Sequence, residues 1–506
     1  MENFINGTAT LFGDPVSITV FFVALIGGML FGAVPGVSML TLAAIALPFS
    51  GNFSAPNAIM FFSVVYCSGV FGGAITAILF NIPGAPENAP TAWDGYAMTR
   101  NGQAGKAVGA AVLCSAFGGT CSALLMMTAT PLLANWAITS FGPPEIFALV
   151  FFGLAVASSV GAATLWKGWL SVALGLMLAT IGLDPVGGIK RYDFGFPYLL
   201  AGIGFVPVIL GFFAVSEVFV QAEKRARGTY KAPKVNLDFP SLLEFWRLKL
   251  AVARSVFIGF FAGILPGIGA VLAAFMGYNE AVRWSKTPEK FGKGELEGVV
   301  SSETANNAAT GAAMIPLLAL GLPGGALTAM MIGVFQIHGI EAGPLVFINS
   351  NDLVWVVFSA MFFANICIFF LGWLQTKTVV HLLRIPFHLL APVILLMATI
   401  GAYAVRGLVI DVIVMFTAGI AGFVLRRSGY TIPGIVLGLI LGKIGEQTFA
   451  QAMQMLSYDL TNYFNRPIGL ILLVGGAITI VVNVYKSFQK PKATSPQAHS
   501  PVGRDI

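Results

Sequence analysis

Charged side chains are scarce in this sequence. Asp, Glu, Lys and Arg make up 10% of the 506 residues, against roughly a quarter in ordinary soluble domains. The longest polar stretch runs only from Gln221 to Leu250, which leaves no room for a soluble domain. Hydrophobic residues reach 57%. This shortage of charge excludes a chain whose main solvent is water, so its chemistry must lie inside a membrane.

Signals of metal, nucleotide and redox chemistry are also missing. The four cysteines lie in or beside apolar runs without CxxC spacing, which indicates packed thiols: Cys67, Cys114, Cys121 and Cys367. The histidines show no metal-ligand spacing, and neither a GxxxxGK[ST] loop nor HExxH occurs. Tyr192-Asp193 resembles one half of an aspartyl protease pair, but no second GxGD-type aspartate follows. We therefore expect no metal, no cofactor and no enzyme, and ATP hydrolysis is not expected of this chain.

The sequence instead contains many long runs of apolar residues. A membrane helix needs roughly 20 mostly apolar residues, and runs such as Val16 to Val34 and Ala58 to Phe80 meet this length. We count about 11 to 13 such segments. Alternating hydrophobicity is absent, so the backbone must satisfy its hydrogen bonds as helices. The pattern predicts an all-α polytopic membrane protein whose surroundings are the lipid bilayer.

A Gly-rich motif occurs twice. Gly28-x3-Gly32-x2-Pro35-Gly36 recurs 231 positions later as Gly259-x3-Gly263-x2-Pro266-Gly267, and Asn81-Ile-Pro83-Gly84 recurs 240 positions later as Gly321-Leu-Pro323-Gly324. Proline removes a backbone hydrogen bond and glycine frees the dihedrals, so each pair predicts a broken or re-entrant helix. Two matched pairs in the same order indicate a duplication.

The positions of basic residues give the orientation of the two halves. The first basic residue is Arg100, and the sequence lacks a basic signal-peptide start, whereas the stretch 221–250 is rich in Lys and Arg. The net charge of +6 thus marks loops rather than a nucleic-acid surface. We predict an outside N-terminus, a cytoplasmic C-terminus and two repeats of inverted topology, 16–220 and 251–485. A basic cytoplasmic linker (221–250) joins them, and a disordered tail (486–506) follows.

Polar residues cluster beside the breaks, where they are functional candidates because polar groups are costly in a membrane. Asn81 to Tyr96 carries Glu87, Asn88 and Asp94, and the second half carries Glu303, Asn306 and Asn307. Helix N-termini at the breaks could bind an anion, and the acidic residues could hold a coupling cation. The alternatives are an external loop at Asn81 to Tyr96 and polar helix packing at Asn306 and Asn307. We interpret Glu145 and Asp184 as structural residues: Glu145 is an acid in the first turn of a helix, and Asp184 is a turn residue.

These motifs together resemble the large membrane subunit of the tripartite tricarboxylate transporters. The likeness runs from about Val20 to Val482 and rests on the Pro-Gly helices, Asp94-Gly95-Tyr96, Gly142-Pro143-Pro144-Glu145 and Glu303-x2-Asn306-Asn307. It implies a bacterial inner-membrane permease that works with a small membrane subunit and a periplasmic solute-binding protein, driven by a Na⁺ or H⁺ gradient. The implied substrates are citrate, other tricarboxylates, dicarboxylates and aromatic acids.

The resemblance and the break positions give a set of candidate site residues. The substrate-binding candidates are Pro35, Gly36, Ser38, Asn81, Pro83, Gly84, Asn88, Pro266, Gly267, Gly269, Asn306, Asn307, Pro323 and Gly324. The candidates for the coupling ion are Glu87, Asp94 and Glu303. A channel or another solute carrier with the same core is the alternative, and the inverted repeat favours a carrier.

Overall fold

The computed structural model describes residues 2–34, 37–158, 164–225, 240–265, 269–382 and 387–488. Helices dominate this part of the chain, which confirms the all-α prediction. The first half contains α1 (Glu2–Gly13), α2 (Pro15–Ala33), α3 (Met39–Ala46), α4 (Ala55–Phe80), α5 (Ala89–Arg100), α6 (Ala104–Ser140), α7 (Pro143–Ala157), α8 (Leu165–Ala179), α9 (Phe205–Ile209) and α10 (Ser216–Arg225). A π-helical turn, Leu210–Val215, joins α9 to α10.

The second half has the same helical character. It contains α11 (Leu242–Arg247), α12 (Lys249–Ile264), α13 (Gly269–Trp284), α14 (Leu296–Ala312), α15 (Met314–Leu320), α16 (Ala326–Ile337), α17 (Val346–Asn349), α18 (Asn351–Leu382), α19 (Phe387–Arg406), α20 (Val409–Arg427), α21 (Ile432–Met455) and α22 (Pro467–Phe488). Short 3₁₀ turns occur at Leu47–Asn52, Pro86–Asn88, Pro197–Ala201, Pro288–Lys290 and Leu460–Asn465. Two short strands, β1 (Gly182–Leu183) and β2 (Lys190–Arg191), pair antiparallel with Gly182 opposite Arg191.

The helices have the lengths and surfaces of a multi-pass membrane protein. Within the described residues, nine are long and apolar enough to cross a bilayer, and four shorter apolar helices accompany them. The outer helices α19, α20 and α22 expose large apolar side chains such as Leu396, Ile420 and Ile471. Lipid tails can solvate this surface, which water could not.

Two of the predicted breaks share one backbone geometry. α4 ends at Asn81, which has φ 57° and ψ 31°, and α15 ends at Gly321, which has φ 71° and ψ 17°. The Asn81 N–H donates to the Ala77 carbonyl at 3.2 Å, and the Gly321 N–H donates to the Leu317 carbonyl at 3.1 Å. Only glycine and, less often, asparagine adopt this left-handed conformation readily. The two halves therefore have different residues at this left-handed helix end, and both residue types suit it.

Close helix packing also recurs in both halves. A methyl group on Gly32 would lie 2.2 Å from the Gly69 carbonyl oxygen, and one on Gly263 would lie 2.6 Å from that of Ala309. Each glycine thus lets α2 or α12 approach the backbone of α4 or α14. Gly32 and Gly263 are 231 positions apart, and Gly69 and Ala309 are 240 apart. The same packing occurs in both halves, whereas their inverted orientation stays a prediction.

The halves interlock through their longest helices. α6 of the first half packs against α14, and α18 of the second half packs against α4. The polar residues of α4, α5 and α14 consequently lie between the two halves. Four predicted features lie wholly or partly outside the described residues: the breaks at Pro35-Gly36 and Pro266-Gly267, residues 226–239 of the linker, and most of the tail.

Candidate functional site

The side chain of Glu303 lies at the centre of a buried polar cluster. Glu303 has no solvent exposure, and its Oε1 accepts hydrogen bonds from the Thr91 hydroxyl at 2.6 Å and the Asn306 amide at 3.3 Å. Its Oε2 accepts from the Ser115 hydroxyl at 3.0 Å and the Asn307 amide at 3.4 Å. α5, α6 and α14 supply these donors, so one carboxylate is held by both halves.

Amide side chains around Glu303 combine satisfied donors with unsatisfied acceptors. The Asn88 amide donates to the Val70 carbonyl at 2.9 Å and to Glu303 at 3.5 Å. The Asn307 amide lies 2.9 Å from the Ser115 hydroxyl oxygen. The Oδ1 atoms of Asn88 and Asn307 are buried and have no hydrogen-bond partner in the described chain. Buried acceptors of this kind are rare in folded proteins, and a ligand or ion can satisfy them.

Glu87 is a second buried acid near the cluster. It is 4% exposed, and within the described residues its carboxylate has no side-chain hydrogen-bond partner and no ion pair; its own backbone N–H interacts with it. Its backbone carbonyl accepts a bond of 3.4 Å from the Asn306 amide, and its charge lies close enough to Tyr66 to interact with it. A carboxylate in this setting is stabilised by a cation or a proton, because isolated buried charge is costly.

Asp94 holds the start of α14 and does not join the Glu303 cluster. Its Oδ1 accepts from the backbone N–H groups of Gly294 and Glu295 at 2.9 and 2.8 Å. Its Oδ2 accepts from the Tyr278 hydroxyl at 2.8 Å. Helix starts leave N–H groups without partners, and a carboxylate satisfies them well. Asp94 of the first half thus has a structural role, because it stabilises the start of α14 in the second half.

The first-half break has a surface part and an interior part. Asn81 and Pro83 are exposed, whereas Glu87, Asn88 and Asp94 are buried. The interpretation of the whole stretch as an external loop is therefore wrong. Gly84 packs on the backbone of α2, where a methyl group would lie 2.1 Å from the Gly32 carbonyl oxygen. Ser38 lies half-buried before α3, and its N–H is 3.4 Å from the Thr41 hydroxyl.

The second-half break is more deeply buried. Pro323 and Gly324 are both buried, and they precede the first turn of α16. Gly269 begins α13 with φ +43°, and a methyl group there would lie 3.2 Å from the Gly324 carbonyl oxygen. The N-termini of α13 and α16 therefore meet.

The structure brings together most of the acidic and amide candidates and adds three residues. Asn88, Glu303, Asn306 and Asn307 share the cluster, and Glu87 lies beside it. Sequence reasoning missed the role of Thr91, although it lies within the polar stretch Asn81 to Tyr96. It also missed Ser115, which gives no local signal in the apolar helix α6. It also missed Tyr66, although the offset of 240 that relates the Pro-Gly pairs aligns Tyr66 with Asn306.

The structural readings of two other acids are confirmed. Glu145 accepts from the Gly142 N–H at 2.9 Å and pairs with Arg466 at 3.1 Å. Asp184 accepts from the Gly187 N–H at 2.7 Å within a turn, and this bond lowers the pKa of the exposed Asp184 carboxyl.

Comparisons with known proteins identify one family and two related proteins. A sequence model of the Tripartite tricarboxylate transporter TctA family matches residues 18–437. The protein named "Uncharacterized 52.8 kDa protein in TAR-I ttuC' 3'region" of Agrobacterium vitis is 36% identical, over 94% of this chain and 95% of its own length. A second protein of that organism, "Uncharacterized protein in TAR-II ttuC' 3'region", is 35% identical over 46% of this chain and 97% of its own length. No solved structure matches.

Proposed function

Because this chain belongs to the TctA family of tripartite tricarboxylate transporters, we propose that it imports small carboxylates by secondary active transport. In this proposal the chain is the large permease subunit in a bacterial inner membrane. A small membrane subunit and a periplasmic solute-binding protein are its partners. The N-terminus lies outside and the C-terminus lies in the cytoplasm.

One observation carries the proposal: the buried polar cluster around Glu303 joins the two halves of the molecule. Polar residues inside a membrane are costly and usually mark a transport pathway. Thr91 and Ser115 reach Glu303 from the first half, whereas Asn306 and Asn307 reach it from its own helix. Secondary transporters place their substrate and ion sites where two halves meet.

Helix ends at the breaks suit a carboxylate. α5 begins after Asn88, and α16 begins after Gly324 and Gly325. The first N–H groups of a helix lack intrahelical partners, and the helix dipole favours negative charge there. In the proposal, the breaks around Asn81–Gly84 and Pro323–Gly324 supply these helix starts at the depth of the substrate.

Glu87 and Glu303 are the proposed sites of coupling. Both carboxylates are buried, and neither forms an ion pair with a described Lys, Arg or His. Binding of Na⁺ or H⁺ would neutralise this charge and remove part of the cost of bringing an anion into the same cavity. The unpartnered Oδ1 atoms of Asn88 and Asn307 are further oxygen ligands for a cation.

Uptake into proteoliposomes tests the proposal. The chain is reconstituted with its small partner subunit, and labelled carboxylates are offered with and without binding protein and a Na⁺ or H⁺ gradient. We expect saturable accumulation that needs both the gradient and the binding protein. Accumulation of no carboxylate by a verified assembly would contradict it, and uptake without saturation or counterflow would indicate a channel.

Substitutions in the cluster test whether it is needed for uptake. Replacement of Asn306 or Asn307 by Ala removes amide groups that bond Glu303 and is expected to reduce uptake strongly while membrane insertion is retained. Asn349→Ala is a control, because Asn349 is exposed at the end of α17. Wild-type uptake by both cluster variants would sink the site assignment without affecting the assignment of the family.

A further inference from the structure

The side chain of Tyr66 is largely buried, and its hydroxyl group has no hydrogen-bond partner among the described residues. Tyr66 lies on α4 and is 4% exposed. Within the described residues its hydroxyl makes no hydrogen bond, although a buried tyrosine hydroxyl usually finds one. The ring therefore holds a free O–H group inside the molecule, which is the arrangement expected when a ligand supplies the acceptor.

This hydroxyl points to the place where two helices begin. A methyl group on Gly269, the first residue of α13, would lie 3.5 Å from the Tyr66 hydroxyl oxygen. One on Gly325, directly before α16, would lie 3.9 Å from it. α13 has 16 residues and α16 has 12, so each has a developed helix dipole. Two positive helix ends and one O–H donor thus face a common point.

The space beside the Tyr66 hydroxyl is open because Gly325 has no side chain. No described atom other than the Tyr66 hydroxyl oxygen and the immediate chain neighbours lies within 4 Å of a methyl group on Gly325. Gly325 has φ −171°, an extended conformation that any residue adopts. Its N–H donates to Thr328 at 2.8 Å, which fixes the first turn of α16. The glycine thus leaves space beside Tyr66 without being required by the backbone conformation.

Tyr66 also has a counterpart in the second half. The offset of 240 aligns Tyr66 with Asn306 and the break at Gly84 with the break at Gly324. Tyr66 approaches Gly325, directly after the break at Gly324 in the other half, and Asn306 donates to the Glu87 carbonyl in the other half at 3.4 Å. Each half thus places one polar side chain of its central helix on the break of its partner. The bond from Asn306 goes to protein, whereas the Tyr66 hydroxyl makes no hydrogen bond to the part of the chain that the structure describes.

We propose that the Tyr66 hydroxyl and the N-termini of α13 and α16 bind a carboxylate group of the transported substrate. This proposal rests on the proposed function and names the substrate-binding residue on the second-half side. A carboxylate accepts several hydrogen bonds at once, and charge-assisted bonds are about twice as strong as neutral ones. Glu87 lies within electrostatic range of Tyr66, so an anion here is favoured only when a cation or proton neutralises Glu87. Substrate and coupling ion would therefore bind together.

Two single substitutions test the site, one by removing an atom from it and one by adding a group to it. Tyr66→Phe removes only the oxygen, and Gly325→Ala adds a methyl group to the open space. Tyr403→Phe and Gly13→Ala are matched controls, since Tyr403 is half-exposed on α19 and a methyl group on Gly13 meets no described atom within 4 Å. Labelled citrate and labelled succinate are the probes for binding and uptake in the assembled transporter.

Tyr66→Phe is expected to weaken binding of the transported probe by roughly 10-fold to 100-fold, the range for a lost hydrogen bond to a charged group. Its apparent unfolding temperature without substrate should equal that of the wild type, because the hydroxyl has no hydrogen-bond partner among the residues that the structure describes. Gly325→Ala should weaken binding in the same direction, and both controls should bind as the wild type does.

The outcomes separate this inference from the proposed function. If the wild type accumulates a probe and both Tyr66→Phe and Gly325→Ala retain wild-type affinity, the carboxylate site at Tyr66 is wrong and the transporter assignment stands. If the wild type accumulates neither these probes nor any other carboxylate, the proposed function fails, and the inference fails with it. Should Tyr66→Phe not fold, the affinity of Gly325→Ala decides the matter.

Discussion

Thr91 donates a hydrogen bond of 2.6 Å to Oε1 of Glu303, and both side chains are fully buried. Thr91 lies on α5 in the first half, and Glu303 lies on α14 in the second. The bond thus crosses the contact between the halves. A movement of one half against the other must break it or carry both residues along. Substitutions at this contact are therefore expected to change both transport and stability.

Glu303→Gln tests whether the charge at the centre of the cluster is needed. Glutamine has nearly the same shape but no negative charge, so the protein should fold while uptake falls at least about tenfold because the coupling ion loses its ligand. Uptake under a Na⁺ or H⁺ gradient measures this effect. Glu289→Gln, at an exposed position, is the control. Wild-type uptake with unchanged ion dependence would remove Glu303 from the coupling site.

Glu303→Ala should be more harmful to stability than Glu303→Gln. Truncation leaves the buried hydroxyl donor of Ser115 without an acceptor, whereas Thr91 keeps its contact of 2.9 Å with the Ser302 hydroxyl. An unsatisfied buried group costs roughly 1–3 kcal/mol. Thermal unfolding in detergent should show a lower apparent unfolding temperature for the alanine variant. Equal unfolding temperatures for the two variants would mean that the cluster contributes little to stability.

Asp94→Asn separates a structural role from a role in coupling. The amide has one oxygen and cannot accept bonds from the Gly294 and Glu295 N–H groups and from Tyr278 as the carboxylate does. We expect a lower unfolding temperature, a smaller decrease for Tyr278→Phe, and unchanged ion dependence of the remaining uptake. An altered ion dependence at unchanged stability would instead make Asp94 a coupling residue.

Asn81→Gly and Asn81→Ala form a pair that tests the left-handed helix end. Asn81 has φ 57°, which glycine adopts freely and alanine adopts at a cost of about 1 kcal/mol or more. We expect Asn81→Gly to fold and transport as the wild type does, and Asn81→Ala to be less stable. Unfolding temperature and uptake are both measured. Loss of uptake in a stable Asn81→Gly variant would show that the Asn81 side chain itself contacts the substrate.

The ion pair between Lys106 and Glu244 gives a pH-dependent contact outside the membrane core. The hydrogen bond from Lys106 is the main cause that lowers the pKa of Glu244 to about 2 from 4.5. The folded-state pKa is depressed, so the stabilisation is complete above about pH 4.5 and is lost as the pH falls towards about 2. The effect is small, because both side chains are partly exposed.

Lys106→Met checks this assignment. The difference in unfolding temperature between wild type and variant should be constant from pH 7 to about pH 5 and should shrink below about pH 4.5, where Glu244 begins to protonate in the unfolded chain. Lys286→Met, at an exposed position, is the control and should show no such trend. A difference that grows as the pH falls would have the wrong sign and would contradict the assignment.

Sequence patterns predicted the local features of this molecule well. Apolar length predicted the membrane helices, and the Asn-Ile-Pro-Gly and Gly-Leu-Pro-Gly motifs predicted helix ends at Asn81 and Gly321. Concentration of polar residues in apolar surroundings identified Glu303, Asn306 and Asn307, which share one cluster. These signals depend on residues close together in the chain, where backbone conformation and hydrogen bonding are governed by the local sequence.

Long-range partners were beyond the reach of such patterns. The charge of Asp94 predicts a place at the coupling ion, but the sequence does not show that its carboxylate accepts hydrogen bonds from backbone N–H groups at the start of α14, about 200 residues later. Ser115 lies in the middle of α6 among apolar residues and was not noticed, although its hydroxyl bonds Glu303. A serine on a membrane helix commonly bonds its own backbone, so only its neighbour in space reveals another role.

The sequence by itself determined that this chain forms membrane helices, where those helices are interrupted, and which family it belongs to. The physical reason is that a backbone in lipid must satisfy its own hydrogen bonds, so apolar length and Pro-Gly position leave few choices. Tertiary structure alone decided that Thr91, Ser115 and Glu303 meet and that Tyr66 faces the starts of α13 and α16. Those relations depend on how closely glycine-lined helices of the two halves pack, and packing distances are not contained in any local pattern.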